Sequence, residues 1–351
     1  MFKTIRNAFK VKELKNKLLY TFMMLVVIRF GSALPIPGVR TDFFANWFAK
    51  QTTDVFGFFN AMTGGSFSQM SIFALSITPY ITSSIIIQLL TIAIPKLEEL
   101  QKDGEDGRKK IQEYTRYVTV GLALIESSAM AIGFGRQGLL ADYNAWNVIV
   151  AIVTMTTGSA LLMWIGEQIT DKGVGNGISI VLLLNILSSV PSDIRNLYFK
   201  FVFGQDIPMA ALRLAIVVLV IVAMVVFVIV LNDAERRIPV QYSKKMVGRK
   251  LVGGQASSIP LKVNTAGVMP VIFASSIMSF PVVISQFIPA MQQGWSGHLM
   301  KLLNSGSWCR PSEPIYSIGL LVYIILIVLF AYFYTSIAFN PLEVANNMKK
   351  Q

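Results

Sequence analysis

The stretch FFNAMTGGSFSQMSIFALSITPY, residues 58–80, begins like a membrane helix and then breaks. Gly64 and Gly65 interrupt its apolar run. Four polar side chains follow among the aromatic ones: Ser66, Ser68, Gln69 and Ser71. The stretch is too apolar to be stable alone in water and too interrupted to cross a bilayer as one helix. Its place directly before an uninterrupted apolar run raises the question of what such a piece does in a membrane protein.

The composition places the chain in the membrane class. Of its 351 residues, 54% are hydrophobic and only 14% are charged, whereas about 25% of an average soluble domain is charged. Runs of about 20 apolar residues, the length that crosses a bilayer, occur eight times: near 18–37, 72–95, 117–135, 146–168, 177–191, 214–232, 266–288 and 315–338. The sequence therefore predicts an all-α integral membrane protein with eight spans, the fifth of them short.

The basic residues predict the orientation of these spans. Of the 31 Lys and Arg residues, 22 fall in alternate loops on one side, 8 fall on the other, and Arg29 lies inside the first span. Cytoplasmic loops carry the excess of Lys and Arg, so we expect both ends of the chain to be cytoplasmic. The net charge of +12 follows largely from this sorting and does not indicate nucleic-acid binding.

Residues suited to catalysis are sparse. His298 is the single histidine and Cys309 the single cysteine, which excludes an intrachain disulfide. The sequence has no metalloprotease, hydrolase or phosphate-loop motif. GVGNG, residues 173–177, follows a span rather than a strand, so we interpret it as a tight turn that opens the fifth helix. The sequence predicts no enzyme activity, no cofactor and no metal site.

Polar residues inside the spans point to function, because they are costly there. Glu126 lies in the middle of the third span, where a carboxylate costs about 2.5–3.5 kcal/mol on insertion scales. It should face protein or water, either as a contact between helices or as part of a lining that becomes wet. Thr82 and Asn264 are candidate partners at a similar depth.

Prolines give a second clue. Pro79 lies in the second span, Pro270 and Pro281 lie in the seventh, and the first ends in PIPG, residues 35–38. Broken helices are tolerated only where they pack on protein or line a cavity, so an interior pathway is expected. A channel for a large substrate and a secondary transporter both remain open, and a membrane-anchored scaffold is a third class.

Several long motifs resemble the SecY family of protein-translocating channels. They are IRFGSALPIPGV (28–39), FNAMTGGSFSQMSIFALSITPYITSSIIIQLL (59–90), GRKKIQEYTRY (107–117), LMWIGEQITDKGVGNGISI (162–180), LKVNTAGVMPVIFASSI (261–277) and AFNPLEVANNMKK (338–350). The resemblance implies a polytopic helical bundle of two inverted halves. Residues 1–191 would hold the first five spans. Residues 192–351 would hold three more, so that this sequence ends after the eighth of the family's ten spans.

The resemblance answers the opening question. In the family, the segment after the first span folds back as a short helical plug in the outer funnel of the pore, which corresponds here to about 57–71. Its members include Phe58, Phe59, Met62, Gly64, Gly65 and Phe67. The apolar side chains need cover, whereas the glycines and serines weaken helix formation, so such a segment can occupy a funnel and leave it.

The resemblance also implies an aliphatic pore ring and a lateral gate. The ring positions are Ile77, Ile81, Ile178, Leu182 and Ile272. Within each of the first two pairs the spacing is i,i+4, which puts both side chains on one helical face. The gate, between the second and third spans on one side and the seventh and eighth on the other, would carry Thr82, Glu126 and Asn264. Glu126 departs from the neutral amide expected there.

The function so implied is conduction of unfolded secretory polypeptides across the bacterial cell membrane and lateral release of transmembrane segments into lipid. A transporter site would need convergent polar groups at the midplane, whereas the ring positions are Ile and Leu. Because no nucleotide motif is present, energy must come from a partner, either the ATPase SecA or a ribosome. SecE is expected to clamp the bundle, and SecG to lie at its periphery.

The loop at residues 235–262 alternates apolar and basic residues and has glycines at its turns. This pattern favours a protruding cytosolic hairpin over a frayed linker, and a solvated positive-inside loop is the alternative. By resemblance this loop docks SecA and the ribosome, and Arg249 and Lys250 lie near its tip. The full set of docking candidates is Arg236, Arg237, Lys244, Lys245, Arg249 and Lys250.

Overall fold

The computed structural model of the chain describes residues 10–50, 60, 62–136, 138–204, 206–240, 245–247, 250–252, 257–287, 293–308 and 313–338. Its helices are α1 Lys12–Ala33, α2 Thr41–Lys50, α3 Thr78–Ala93, α4 Pro95–Lys102, α5 Glu105–Gly135, α6 Ala145–Lys172, α7 Gly177–Phe201, α8 Ile207–Asp233, α9 Met269–Phe287, α10 Gly294–Leu303 and α11 Ile318–Ala338. Four strands lie between α8 and α9: β1 Glu235–Val240, β2 Lys245–Val247, β3 Lys250–Val252 and β4 Ser257–Lys262. Each of the eight predicted spans overlaps a helix, although the bounds differ.

Five helices in the described part of the chain, namely α5, α6, α7, α8 and α11, are long and apolar enough to cross a membrane. The pair α3 and α4 makes a sixth if it counts as one span, with a bend of 108° at the break before Pro95. The first span, α1, carries Lys17 and Arg29 among its apolar residues, which lowers its hydropathy. The seventh, α9, contributes the shorter apolar helix Met269–Ser279. The chain is a polytopic helical membrane protein.

The start of the second span differs from the prediction. The apolar run begins at residue 72, but the helix begins at Thr78, and residues 64–77 form turns. Pro79, expected to break the helix, instead occupies its first turn. Proline is favoured there because its missing N–H has no helical partner to lose and its φ already suits a helix. Residues 72–77 are therefore apolar because they are buried, and not because they belong to the helix.

The fifth span is longer than predicted. The apolar run ends at residue 191, yet α7 continues to Phe201 with Pro191 inside it. Polar residues after Pro191 end the apolar run without ending the helix, since hydropathy and helix propensity are different properties. The turn predicted at 173–177 is confirmed, because α7 begins at Gly177 and Gly175 has a left-handed φ of 75°.

Two compact units divide the chain, Met1–Asp193 with Ser276–Leu321, and Ile194–Ser275 with Val322–Gln351. In the first unit, α5 packs on α6, and Ser127 and Thr156 share a buried hydrogen bond of 2.9 Å between their hydroxyl oxygens. The same unit ties α1 to the turn after α6, where Val174 N–H donates to Thr21 Oγ1 at 3.2 Å. These units are defined by contacts, whereas the predicted halves, 1–191 and 192–351, are defined by an inverted topology. The two halves therefore stay a prediction.

In the second unit, the described part of α11 packs on the start of α9. Phe273 lies edge-on to Phe330 at 5.7 Å between ring centroids, and the hydroxyls of Ser275 and Tyr323 are 3.0 Å apart. The strands form two antiparallel ladders, β1 with β4 and β2 with β3. Glu235 lies opposite Lys262, and Val247 lies opposite Lys250. The four strands β1 to β4 are together called the ribbon below.

Candidate functional site

The re-entrant segment, defined here as residues 60 and 62–77, is shaped by its own polar side chains. Asn60 Oδ1 accepts from Ser68 N–H at 3.0 Å, and Thr63 Oγ1 accepts from Phe67 N–H at 3.2 Å. Gly64 and Gly65 between them have φ values of 64° and 84°, a region that glycine enters without steric cost. Residues 60 and 62–63 are helical, and residues 64–70 form a series of turns held by these bonds, where the resemblance implied a short helical plug over about 57–71. Phe58 and Phe59 lie outside the described residues.

The segment is packed inside the first unit. Phe67 is 1% exposed and its ring lies edge-on to that of Phe44, with centroids 5.4 Å apart. Phe44 makes the same kind of contact with Phe134 at 5.2 Å. Met62 is half-buried, whereas Met70 is fully buried in the same apolar cluster as Phe67. The apolar cover that the sequence demanded is therefore supplied by α2 and α5.

The chain on the N-terminal side of the segment holds it by backbone pairing. Met70 O accepts from Ile36 N–H at 3.0 Å, and Leu34 O accepts from Ile72 N–H at 2.9 Å. Met70 itself has a φ of 44°, which is uncommon and strained for a side chain of its size. The PIPG motif thus has a structural role, because the residues around it form one short bridge to the segment.

Three buried polar atoms in and beside the segment have no hydrogen-bond partner among the described residues. They are Ser66 Oγ, Ser71 Oγ and Asn185 Oδ1. Each such atom costs about 1–3 kcal/mol relative to water. Apolar packing therefore holds the segment in place, whereas these polar atoms are more stable in water. Their hydration offsets part of the free energy that is lost when the segment is unpacked.

Four of the ring candidates lie in the first unit. Ile77 and Ile81 are buried at the start of α3, and Ile77 O accepts from Ile81 N–H at 3.1 Å. Ile178 and Leu182 are half-buried on α7, and Ile178 Cδ1 lies against Gly166 of α6, 2.8 Å from where a Cβ there would be. Ile272 is half-buried on α9, in the second unit. The ring itself stays a prediction.

The gate candidates lie in different local settings. Thr82 Oγ1 donates to Thr78 O within α3 at 3.1 Å, and Glu126 is half-buried on α5. Asn264 was expected at the start of the seventh span, but it lies in the turn before α9, where its Oδ1 accepts from Gly267 N–H at 3.0 Å. That bond shapes the entry into the helix.

The docking candidates lie on the ribbon. Arg236 and Arg237 are exposed on β1, and Lys245 and Lys250 belong to β2 and β3. Lys244 and Arg249 lie outside the described residues. The β2–β3 ladder ends at the pair Val247 and Lys250.

Two polar clusters were not predicted as sites. Glu167 on α6 is 8% exposed in its side chain, and Arg116 Nε and Gln112 Nε2 on α5 donate to its Oε1 at 2.8 and 3.1 Å. On α7, Asn185 Nδ2 donates to Ser76 Oγ at 2.9 Å. An Asn inside the apolar run VLLLNIL (181–187) was a readable signal, since amides inside spans seek partners.

The described residues hold no group of three or more His, Cys, Asp or Glu side chains that could bind a metal. His298 lies in a small polar cluster, with its Nδ1 2.6 Å from the Tyr316 hydroxyl oxygen. Lys301 joins the same cluster through Glu313, its Nζ donating to Oε1 at 3.2 Å.

Comparison with known proteins identifies the family. The SecY family model matches residues 71–351. Over 365 residues the chain is 41% identical to the protein translocase subunit SecY of Streptomyces scabiei, covering all of this chain and 80% of that protein. The corresponding protein of Corynebacterium glutamicum is 40% identical over 362 residues, covering 99% of this chain and 79% of that one.

Solved structures agree on the fold. A structure described as a protein-conducting channel has a TM-score of 0.58 at 17% identity, covering 93% of this chain and 73% of that one. Sec61 in a canine ribosome–channel complex from the endoplasmic reticulum has a TM-score of 0.59 at 17% identity, covering 95% and 75%. A SecY structure concerned with how the plug domain stabilises the closed state has a TM-score of 0.57 at 18% identity.

Proposed function

The chain belongs to the SecY family of protein translocase subunits, and from this premise we propose how its residues conduct a polypeptide. It is a protein-conducting channel subunit. Unfolded secretory polypeptides pass along its interior, and transmembrane segments leave sideways into lipid. The observation that carries this proposal is the identity of 41% over the whole chain. The packed re-entrant segment at the point where the family has its plug adds support.

The aliphatic ring at Ile77, Ile81, Ile178, Leu182 and Ile272 forms the seal around a moving chain. Ile and Leu offer no hydrogen bonds, so a narrow ring of them excludes water and ions. They also have no directional preference, which lets the ring close around very different side chains. The described burial of Ile77 and Ile81 is compatible with a closed state.

Energy and additional subunits come from partners. The sequence has no nucleotide-binding motif, so SecA or a ribosome supplies the driving force, with the ribbon as their docking surface. The canine relative was solved in complex with a ribosome. SecE clamps the helices and SecG lies at the periphery. The protein resides in the bacterial plasma membrane with both ends in the cytoplasm, an orientation supported by the excess of Lys and Arg in the loops on that side.

The test of this function removes the plug. Deleting residues 60–68 should raise the resting ion conductance of purified channels in planar bilayers, because the segment fills the outer funnel. The deletion also removes Phe67 from its cluster with Phe44, and loss of a buried Phe costs roughly 3–5 kcal/mol. Helix content by circular dichroism therefore serves as the control. A folded deletion variant that stays as tight as the parent contradicts the plug assignment.

Glu126 tests the gate. Replacing Glu126 with Leu should strengthen apolar packing around α5 and favour the closed gate, because a half-buried carboxylate resists such packing. Export of precursors with weakly hydrophobic signals should then fall about tenfold, a shift of about 1.4 kcal/mol in the gate equilibrium. Strongly hydrophobic signals should be little affected. The measurement is export into proteoliposomes.

The matched control is Glu126→Gln, which keeps the shape and polarity of the side chain without its charge. It should behave like the parent if polarity at this position assists opening. Equal losses for weak and strong signals in Glu126→Leu would show that Glu126 serves only as a structural contact.

A further inference from the structure

Two polar side chains of α7 hold the re-entrant segment at separate points. Near its end, Asn185 Nδ2 donates to Ser76 Oγ at 2.9 Å, and both residues are buried. Near its start, Ser188 Oγ lies 3.2 Å from Gly64 O and 2.6 Å from Asn185 O, so its one proton is shared between these two acceptors. A Cβ added at Gly64 would lie 2.8 Å from Asn185 O, so glycine is what allows the two backbones to approach so closely. One helix thus contacts both ends of the segment.

The same helix carries two of the proposed ring residues. At 100° per residue, Ile178, Leu182 and Asn185 project within about 60° of one another around the α7 axis. Ser188 is one turn beyond Asn185. A rigid helix transmits displacement along its length. An outward shift of α7 that widens the constriction at Ile178 and Leu182 therefore draws Asn185 and Ser188 away from the segment.

The bonding at Asn185 is incomplete. Its Oδ1 is buried and unpartnered within the described part of the chain, and Ser76, its acceptor, has a strained φ of 52°. Ser76 O is also held from α6, where Ser159 Oγ donates at 3.1 Å. Buried polar atoms without partners and strained residues concentrate where a structure must change state.

We propose that Asn185 and Ser188 form a latch that couples departure of the re-entrant segment to outward movement of α7. The latch makes ring widening and plug release one step, so that a chain entering the ring releases the plug without touching it. Asn185 and Ser188 are positioning residues. The inference rests on the proposed channel function, with residues 60–77 as its movable closure.

The test follows the exposure of position 66 to a water-soluble maleimide. Ser66 is 2% exposed in the closed arrangement, and Ser66→Cys in a Cys309→Ser background provides a single reporter thiol. Asn185→Leu should speed labelling of purified channels in proteoliposomes about five- to tenfold, the change expected from loss of one buried hydrogen bond. Ser188→Ala should act in the same direction and leaves the volume almost unchanged.

The matched control is Ser189→Ala. The Ser189 hydroxyl donates to Ile186 O within α7 at 2.9 Å and lies one residue from the latch. Labelling of this variant should equal that of the parent. If Ser189→Ala speeds labelling as much as Ser188→Ala, or if both latch variants label like the parent, the latch is contradicted.

Coupling is tested by a double-mutant cycle with the ring. Leu182→Asn should wet the constriction and speed labelling at position 66 several-fold when Asn185 is present, but add little in the Asn185→Leu background. If the rate increase in the double variant equals the product of the increases in the two single variants, the coupling is contradicted. The conductance of the channel that lacks residues 60–68 distinguishes failure of the latch from failure of the plug assignment. A leaky deletion with unaltered latch variants removes the latch alone, whereas a tight, folded deletion removes the plug function itself.

Discussion

Changing both Arg249 and Lys250 to Glu is expected to abolish export driven by SecA while leaving membrane insertion and the closed pore intact. In the sequence these two cations come shortly after the end of β2 at Val247, and Lys250 is the first residue of β3. Exposed cations steer and position acidic or phosphate-rich surfaces. Reversal replaces attraction with repulsion at the point of contact, which affects docking more than simple neutralisation would.

The measurement is precursor translocation and stimulation of SecA ATPase activity in proteoliposomes. Both should fall to the level of liposomes without channel. The matched control is Lys109→Glu with Lys110→Glu, which changes the same number of charges at two exposed residues of another predicted cytosolic region, at the start of α5. Normal ATPase stimulation with the ribbon reversed would place the docking surface elsewhere. An equal loss of translocation and ATPase stimulation in the control would mean that the change in net charge, and not its position on the ribbon, causes the effect.

The positions of the spans were predictable because each needs its own apolar run. The antiparallel pairing of strands within 235–262 was predictable too, since alternating residues and glycines between apolar runs are local signals. The start of the second span was not. Residues 72–77 are as apolar as a helix, yet they form turns that place Phe73, Leu75 and Ile77 in the interior of the first unit. Apolarity alone does not distinguish a buried turn from a helix.

The polar contacts were the least predictable part of the site. Asn185 and Ser76 are 109 positions apart, and Arg116 and Glu167 are 51 apart. Each residue taken alone signals a need for a partner, but only the fold decides which one. Glu126 was singled out for its depth in the membrane, whereas Glu167 was passed over. Position within a span is therefore a weak guide to which carboxylate is the more buried or has the more partners.

The ring gives the second large effect. Ile81→Asn is expected to raise the resting ion conductance of channels in planar bilayers roughly 30-fold, if hydration of the amide contributes about 2 kcal/mol to the wetted state. A narrow aliphatic constriction stays dry because water inside it finds no hydrogen-bond partner. Ile81 is 7% exposed and shares a face of α3 with the capping residue Ile77, so an amide there faces the same interior. Export of precursors with defective signals should improve as well, since the open state becomes easier to reach.

Two variants show whether polarity at this face is the cause. Ile81→Leu keeps the position apolar and should leave conductance close to that of the parent. Leu90→Asn introduces the same amide nine residues along α3, on the opposite helical face, where the side chain is 36% exposed, and it should not open the pore. Equal conductance in Ile81→Asn and Leu90→Asn would mean that destabilisation of α3 causes the leak. A folded Ile81→Asn channel as tight as the parent would remove Ile81 from the constriction, and Ile77, one turn away on the same face, would lose its place with it.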